Sequence, residues 1–231
     1  MGYRTHLAAA ILGATLCAPL AQAQTVTAAG GPNQDFTINF NGFTDTVNLV
    51  PGLTAFVAFD FISASVGATS TYTFNYTVGN TSSLPVTSSR VSGFGFNTNP
   101  DVNVGASSAT GVFDTVSSGN VPILPGNIDI CFLGGGGGQC AGGGGDGVLQ
   151  GATTMGTLTL AFTGSVTSIT LSDFFVRWQS LDVPSLGISG GSGVGTQIAV
   201  PAPLAGAGIP ALLALGGGIW FARRRKQQLA A

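Results

Sequence analysis

The stretch that decides the fold is residues 72–78, with the sequence YTFNYTV, in which aromatic or aliphatic residues alternate with threonine or asparagine. Successive side chains of a β-strand point to opposite faces, so this period of two predicts a strand with one buried face. The same alternation occurs in residues 36–40 and again in residues 53–61. The domain shows no helical period with caps, and the pattern indicates an all-β fold.

Six further stretches are strand-like: residues 86–96, 111–116, 127–133, 156–163, 166–171 and 174–178. Turn-forming pairs separate the predicted strands: Pro51-Gly52, Gly79-Asn80, Asn99-Pro100, Gly119-Asn120 and Pro125-Gly126. Short strands that recur about every 8–12 residues predict an antiparallel β-sandwich or jelly roll over residues 24–184. The pattern does not specify the strand order.

Two glycine-rich stretches interrupt the alternation. Residues 134–147 contain ten glycines, too many for the interior of a strand, and indicate a surface loop. Residues 185–199 are rich in glycine and serine and are interpreted as a flexible spacer. Cys131 and Cys140 flank the first part of the glycine loop, and two cysteines of an exported domain predict one disulfide.

The N-terminus has the composition of a secretory signal peptide. Arg4 and His6 precede an apolar stretch over residues 7–20, and a small-x-small site follows it. This pattern predicts removal of residues 1–23 by cleavage between Ala23 and Gln24. The domain is therefore expected to be exported.

The C-terminus has three parts in order. Val200, Pro201, Ala202 and Pro203 form a proline-punctuated motif, and residues 204–222 are uncharged and mostly apolar. As a helix the apolar run is about 28 Å long, close to the roughly 30 Å hydrocarbon core, and predicts a transmembrane helix. The basic residues Arg223, Arg224, Arg225 and Lys226 come next and predict a stop-transfer signal on the cytoplasmic side.

Charge is distributed unevenly. Residues 24–199 contain two arginines, nine aspartates and no lysine, glutamate or histidine, which gives a formal net charge of −7. This balance excludes nucleic acid as an expected partner, because phosphate binding needs clustered cations. We expect Arg90 and Arg177 each to contact an aspartate, with Asp173 as the first candidate partner of Arg177.

The same composition argues against catalysis. Without histidine or lysine the domain lacks the usual bases for a nucleophilic serine or cysteine, and only aspartate pairs remain for acid–base chemistry. No catalytic, cofactor-binding or metal-binding residue is predicted. A calcium site remains an alternative on one Asx-rich loop and the glycine loop: Asn97, Asn99, Asp101, Asn103 and Asp146. The favoured interpretation is an ordinary turn.

A glycan-binding module remains an alternative function. Trp178, Tyr72 and Tyr76 would supply aromatic faces for sugar rings if they lay on an exposed β surface. The competing interpretation places all three in the core. Solvent exposure of Trp178 discriminates between the two.

The tail resembles the PEP-CTERM sorting signal of Gram-negative bacteria, with Pro201-Ala202-Pro203 where those proteins usually have Pro-Glu-Pro. Residues 200–231 otherwise follow the same order of motif, apolar helix and arginine cluster. The resemblance implies recognition by an exosortase, release from the tail and delivery to the cell surface or exopolysaccharide matrix.

The exported domain itself is similar to the cistern family of PEP-CTERM proteins. The matching stretches are residues 39–42 (NFNG), 89–96 (SRVSGFGF), 131–132 (CF), 140–144 (CAGGG), 169–174 (ITLSDF) and 176–180 (VRWQS). This resemblance implies a place in the cell envelope and no known activity. The expected function is that of a non-enzymatic surface or matrix protein, held in the membrane at least transiently.

Overall fold

The structure, a computed structural model, describes residues 23–31, 34–44, 48–122, 124–136, 139–141 and 144–197. These residues form strands joined by loops and three short 3-10 turns, at Val104–Ala106, Gln139–Ala141 and Pro184–Leu186, with no α-helix among them. The strands are β1 (Gln24–Thr27), β2 (Phe36–Phe43), β3 (Leu49–Ser65), β4 (Thr69–Asn80), β5 (Ser88–Asn99), β6 (Ser108–Ala109), β7 (Thr115–Asn120), β8 (Asn127–Leu133), β9 (Val148–Leu149), β10 (Thr153–Thr163), β11 (Ser168–Val183) and β12 (Ile188–Gln197). The all-β prediction is confirmed.

All the strands belong to one antiparallel sheet. Its order is β6-β10-β4-β3-β2-β12-β11-β5-β8-β7, with β1 paired to β11 and β9 paired to β5. Four neighbouring pairs, β2–β3, β3–β4, β7–β8 and β11–β12, are also consecutive in sequence. The remaining pairs join strands that are distant along the chain, which is why local sequence patterns do not specify this order.

The sheet folds over so that its two halves face each other. Phe59 on β3 and Phe94 on β5 have ring centroids 6.1 Å apart, although three strands lie between β3 and β5 in the sheet. In a flat sheet, a strand spacing of about 4.8 Å would separate them by roughly 19 Å. Tyr76 on β4 also lies 5.3 Å from Phe94. The halves therefore pack face to face, as the predicted sandwich requires.

The alternation in β4 has the predicted consequence. Tyr72, Phe74, Tyr76 and Val78 are fully buried, and the intervening residues are half-buried or exposed. The phenol of Tyr72 donates to the carbonyl oxygen of Val166 at 3.1 Å. The phenol of Tyr76 donates to another backbone carbonyl at 2.6 Å. Both rings thus enter the core with their polar ends satisfied.

A second, smaller core lies on the outer face of the half that contains β5, β8 and β11. On β11 the side chains of Phe174 and Val176 enter the main core, whereas Phe175 between them enters the second core. The members of the second core are Val121, Ile128, Cys131, Leu133, Cys140, Phe175 and Val194. Both faces of this half-sheet are therefore buried, and a cover is needed on the outer face.

Strand β11 differs from its prediction in length. Residues 166–171 and 174–178 were expected as separate strands, but a single strand continues through them. Asp173 and Ser180 adopt φ values of +50° and +53°, and the register shifts at both places. The strand absorbs these irregularities as bulges, which reverse the alternation of its side chains without ending it.

Strand β12 corrects the prediction of a spacer over residues 185–199. It lies inside the sheet, paired with β11 on one side and β2 on the other. Gly193 and Gly195 are buried, and a Cβ at Gly195 would lie 2.5 Å from the ring of Trp178. The glycines therefore make room for a large neighbouring side chain and do not supply flexibility.

The predicted sorting motif, the helix over residues 204–222 and the basic tail over residues 223–226 lie outside the described residues. Residues 1–22 of the predicted signal peptide also lie outside them. Within the part of the chain that is described, no helix has the length and hydropathy needed to cross a bilayer.

We predict that Gly195→Ala destabilises the full chain by about 1–3 kcal/mol, because the added methyl group overlaps the indole of Trp178. Urea unfolding followed by intrinsic fluorescence measures the change. Gly105→Ala is the matched control, since its Cβ would meet only the Asn103 side chain at 3.8 Å. Equal unfolding free energies for both variants would contradict the packing described for β12.

We also predict that the folded state loses stability above about pH 10. Burial raises the pKa of Tyr72 and Tyr76 above the ordinary value of about 10. The unfolded chain therefore loses these protons first, so the stabilisation is complete below that pH and disappears as pH rises through the folded-state pKa values. The described residues contain no lysine and no other tyrosine, and their two cysteines are joined by the disulfide.

Unfolding free energies measured between pH 8 and pH 11 test the prediction. The combined variant Tyr72→Phe and Tyr76→Phe should be less stable at neutral pH, because two carbonyl oxygens lose their donors. Its stability should nevertheless stay flat in this window. If the unfolding free energy of the variant falls with pH as steeply as that of the unmodified chain, groups other than Tyr72 and Tyr76 cause the loss of stability.

Candidate functional site

A disulfide holds the glycine loop, residues 134–147, against the sheet. Cys131 on β8 and Cys140 in the turn Gln139–Ala141 are bonded, with Cα atoms 5.7 Å apart. Both sulfurs are buried in the second core. The predicted pairing is confirmed, and its effect is to bring the loop onto the outer face of β8.

Arg177 ties the same loop to β12. Its side chain is 6% exposed and lies on the outer face of β11. Its Nε donates to the carbonyl oxygen of Ala141 at 3.0 Å, and its Nη2 donates to Ser192 Oγ at 2.9 Å. Its Nη1 donates to the carbonyl oxygen of Gly193 at 3.4 Å. Burial lowers the pKa of Arg177, and the cost of burying its charge is offset by these three acceptors.

Arg90 holds the far end of the glycine loop. Its Nη1 donates to the carbonyl oxygen of Gly145, and its Nη2 donates to that of Gly144 at 3.2 Å. The Nη2 also reaches Gln179 Oε1, 3.3 Å away on β11. Both arginines of the domain therefore bind carbonyl oxygens of one loop, and the disulfide fixes that loop between them.

The predicted pairing of Arg177 with Asp173 is wrong, and neither arginine contacts an aspartate of the described residues. Among the described residues neither guanidinium is within ion-pair distance of a carboxylate, and Asp173 instead accepts from Asn97 Nδ2 at 3.1 Å and Ser172 Oγ at 3.2 Å. The prediction assumed a regular strand from Asp173 to Arg177, in which both side chains share a face. The positive φ at Asp173 breaks that regularity.

The glycines of the loop allow its two ends to lie side by side. A Cβ at Gly134 would stand 2.6 Å from the carbonyl oxygen of Asp146. A Cβ at Gly144 would stand 2.8 Å from the carbonyl oxygen of Gly134. Any larger residue at either position would separate the two ends. The described ends of the loop thus lie together over the second core.

A cleft of about 490 Å³ opens beside the end of the loop that Arg90 holds. Its walls come from β5, the segment before β7, the end of the glycine loop, β9 and β10, and they consist of Arg90, Gly111, Val112, Asp114, Gly145, Asp146, Gly147, Leu149 and Thr154. Asp114 and Asp146 are exposed, and Leu149 is 64% exposed. Local sequence patterns do not predict the cleft, because its walls come from segments that only the strand order brings together.

Two of the residues considered for calcium, Asn97 and Asn103, accept hydrogen bonds from backbone groups instead. Asn103 Oδ1 accepts from Ala106 N at 3.3 Å and caps a 3-10 turn. Asn97 Oδ1 accepts from Asp129 N at 3.0 Å, and Asp129 Oδ2 accepts from Thr98 N at 2.8 Å. This is the role expected of an Asx-rich turn. Over the described ranges, no three acidic, cysteine or histidine side chains are grouped as metal ligands would be.

The aromatic residues considered for sugar stacking are not available to a ligand. Trp178, Tyr72 and Tyr76 are all fully buried in the main core. The interpretation that places them in the core is confirmed, and carbohydrate stacking on these three rings is wrong. A glycan site would have to use other residues.

We predict that Arg177→Met destabilises the chain by about 2–4 kcal/mol, because one buried and two part-buried acceptors lose a charged donor. Arg90→Met is the matched control and should cost about 1 kcal/mol, because two of its three acceptors lie at the exposed surface. Thermal and urea unfolding measure both changes. A larger loss for Arg90→Met would contradict the assignment of Arg177 as the principal contact.

No family model, curated protein or solved structure matches the chain. The resemblance to PEP-CTERM and cistern proteins therefore stays a prediction from the residues quoted above.

Proposed function

We propose that the chain is an exported structural protein of the surface or exopolysaccharide matrix of a Gram-negative bacterium, sorted by an exosortase through residues 200–231. The observation that carries the proposal is the buried disulfide between Cys131 and Cys140. Disulfides of this kind form and persist in oxidising compartments outside the cytoplasm. The bond closes the cover of the second core, so the fold favours a protein that matures after export.

The ends of the folded domain also support the proposal. Strand β1 begins at Gln24, directly after the proposed cleavage site, and Gln24 pairs with Leu171. Thr196, near the end of β12, pairs with Phe175 on the same side of β11. Four residues of β11 separate these two points, about 13 Å in an extended strand. A leader and a tail attached there would leave the domain at neighbouring positions.

The role we propose is structural and non-enzymatic. Both arginines of the domain are engaged with the glycine loop, and the aromatic residues are engaged in the core. What the domain offers to the outside is a compact acidic surface. The proposed partners are the exosortase during sorting, the membrane through the C-terminal helix, and exopolysaccharide.

We predict that material from the cell surface starts at Gln24 and ends near the motif Val200–Pro203. Leader cleavage and exosortase processing would remove everything outside those limits, including the four basic residues of the tail. Intact-mass analysis of the recovered protein measures both ends.

Two controls accompany this measurement. In a strain without the exosortase, or in the variant with Pro201→Ala and Pro203→Ala, the C-terminal end should move to Ala231. A chain that ends at Ala231 in the parent strain as well would mean a single-pass membrane protein. A chain that still starts at Met1 would contradict export by the N-terminal signal.

A further inference from the structure

The cleft beside Arg90 is rich in hydrogen-bond acceptors. The carboxylates of Asp114 and Asp146 and the hydroxyl of Thr154 line it, together with three glycines. Arg90 is the only cation among its lining residues, and both of its terminal nitrogens donate to the loop that it holds. A ligand that binds the carboxylates of this cleft must therefore supply donors.

The charge of the cleft selects against anions. Its lining contains two aspartates and one arginine, and residues 24–199 carry a formal charge of −7. Phosphates, sulfates and uronic acids would be repelled by this surface. Hydroxyl and ammonium groups would be attracted to it, since carboxylates accept strong hydrogen bonds from both.

The edge of β10 next to the cleft disfavours an added peptide strand. This edge is already occupied from Thr157 to Ala161, where Thr110 N donates to Thr157 O at 2.8 Å and Asn103 N donates to Ala161 O at 2.7 Å. Toward the cleft, only residues 153–155 of this described edge are left for pairing. They could form about one pair of main-chain hydrogen bonds with an added strand. Binding by strand addition depends on several main-chain hydrogen bonds in sequence, and this edge is too short to supply them.

We propose that the cleft binds a non-anionic oligosaccharide. The carboxylates of Asp114 and Asp146 accept hydrogen bonds from its hydroxyl or ammonium groups, and Val112 and Leu149 pack against its C–H faces. The volume of about 490 Å³ lies within the usual range for small-ligand sites. For its biological meaning this proposal rests on the matrix location proposed above, because only an exported domain meets such polymers.

Isothermal titration calorimetry on the full chain in detergent micelles tests the proposal with four probes. They are an oligosaccharide of glucosamine, a neutral gluco-oligosaccharide, an oligogalacturonate and an oligolysine peptide. We expect the first, the second or both to bind, and the oligogalacturonate not to bind. If the glucosamine oligosaccharide binds more tightly and its affinity falls as salt is added, the contacts are made by ammonium groups. If it and the neutral gluco-oligosaccharide bind equally, the contacts are made by hydroxyl groups.

Matched variants locate the binding. Asp114→Asn and Asp146→Asn should each weaken saccharide binding by about tenfold, because each replaces a charged acceptor by a neutral one. Asp60→Asn removes the same charge from an exposed position on β3, outside the cleft, and should leave binding unchanged. Thermal unfolding of all three variants checks that the fold is retained.

Four outcomes would overturn the proposal: no saccharide binds, the oligogalacturonate binds as tightly as the others, oligolysine binds more tightly than any saccharide, or the cleft variants behave like Asp60→Asn. The assay uses purified protein, so its result is independent of sorting. If no saccharide binds but the protein is correctly processed at the cell surface, only the binding proposal fails and the structural role stands. If saccharide binds but the chain is not processed, the binding site stands and the proposed matrix location fails.

Discussion

Three attachments hold the glycine loop over the outer face of β5, β8 and β11. They are the disulfide at Cys140, the bonds from Arg177 to Ala141, Ser192 and Gly193, and the bonds from Arg90 to Gly144 and Gly145. Apolar side chains such as Phe175 lie beneath the loop and would otherwise face water. The burial of the outer face of β11 depends on this cover. The Arg90 cleft depends on it as well, because the end of the same loop forms one of its walls.

Much of the fold was predictable because strand periodicity is a local property. The alternation in β4 and the bounds of β8 follow from residues adjacent in sequence, and so does the pairing of two cysteines in one short segment. The order of strands was not predictable, because most neighbouring pairs join distant parts of the chain. The cleft depends on that order, so its walls were not predictable either.

The predictions of a spacer and of a contact between Arg177 and Asp173 fail because the roles of these residues depend on neighbours that are distant in sequence or on a local bulge. Gly193 and Gly195 resembled a linker in composition, yet they recur every second residue because large side chains of the main core lie against them. Arg177 and Asp173 were expected to pair because their charges are opposite and a regular strand would place them on one face, but a bulge turned them apart and backbone carbonyls satisfied the arginine. Alternating glycine is the signal that would have identified β12.

The central position of β12 has a mechanical consequence. The strand is hydrogen-bonded to β2 and β11 on its two edges, and Arg177 adds bonds to Ser192 and Gly193. A pull applied to Gln197 along the strand axis would load both ladders in shear, so that many bonds resist together. An edge strand would instead peel away from one neighbour, one bond after another. The C-terminal end of the described domain is therefore held by two ladders against a pull in that direction.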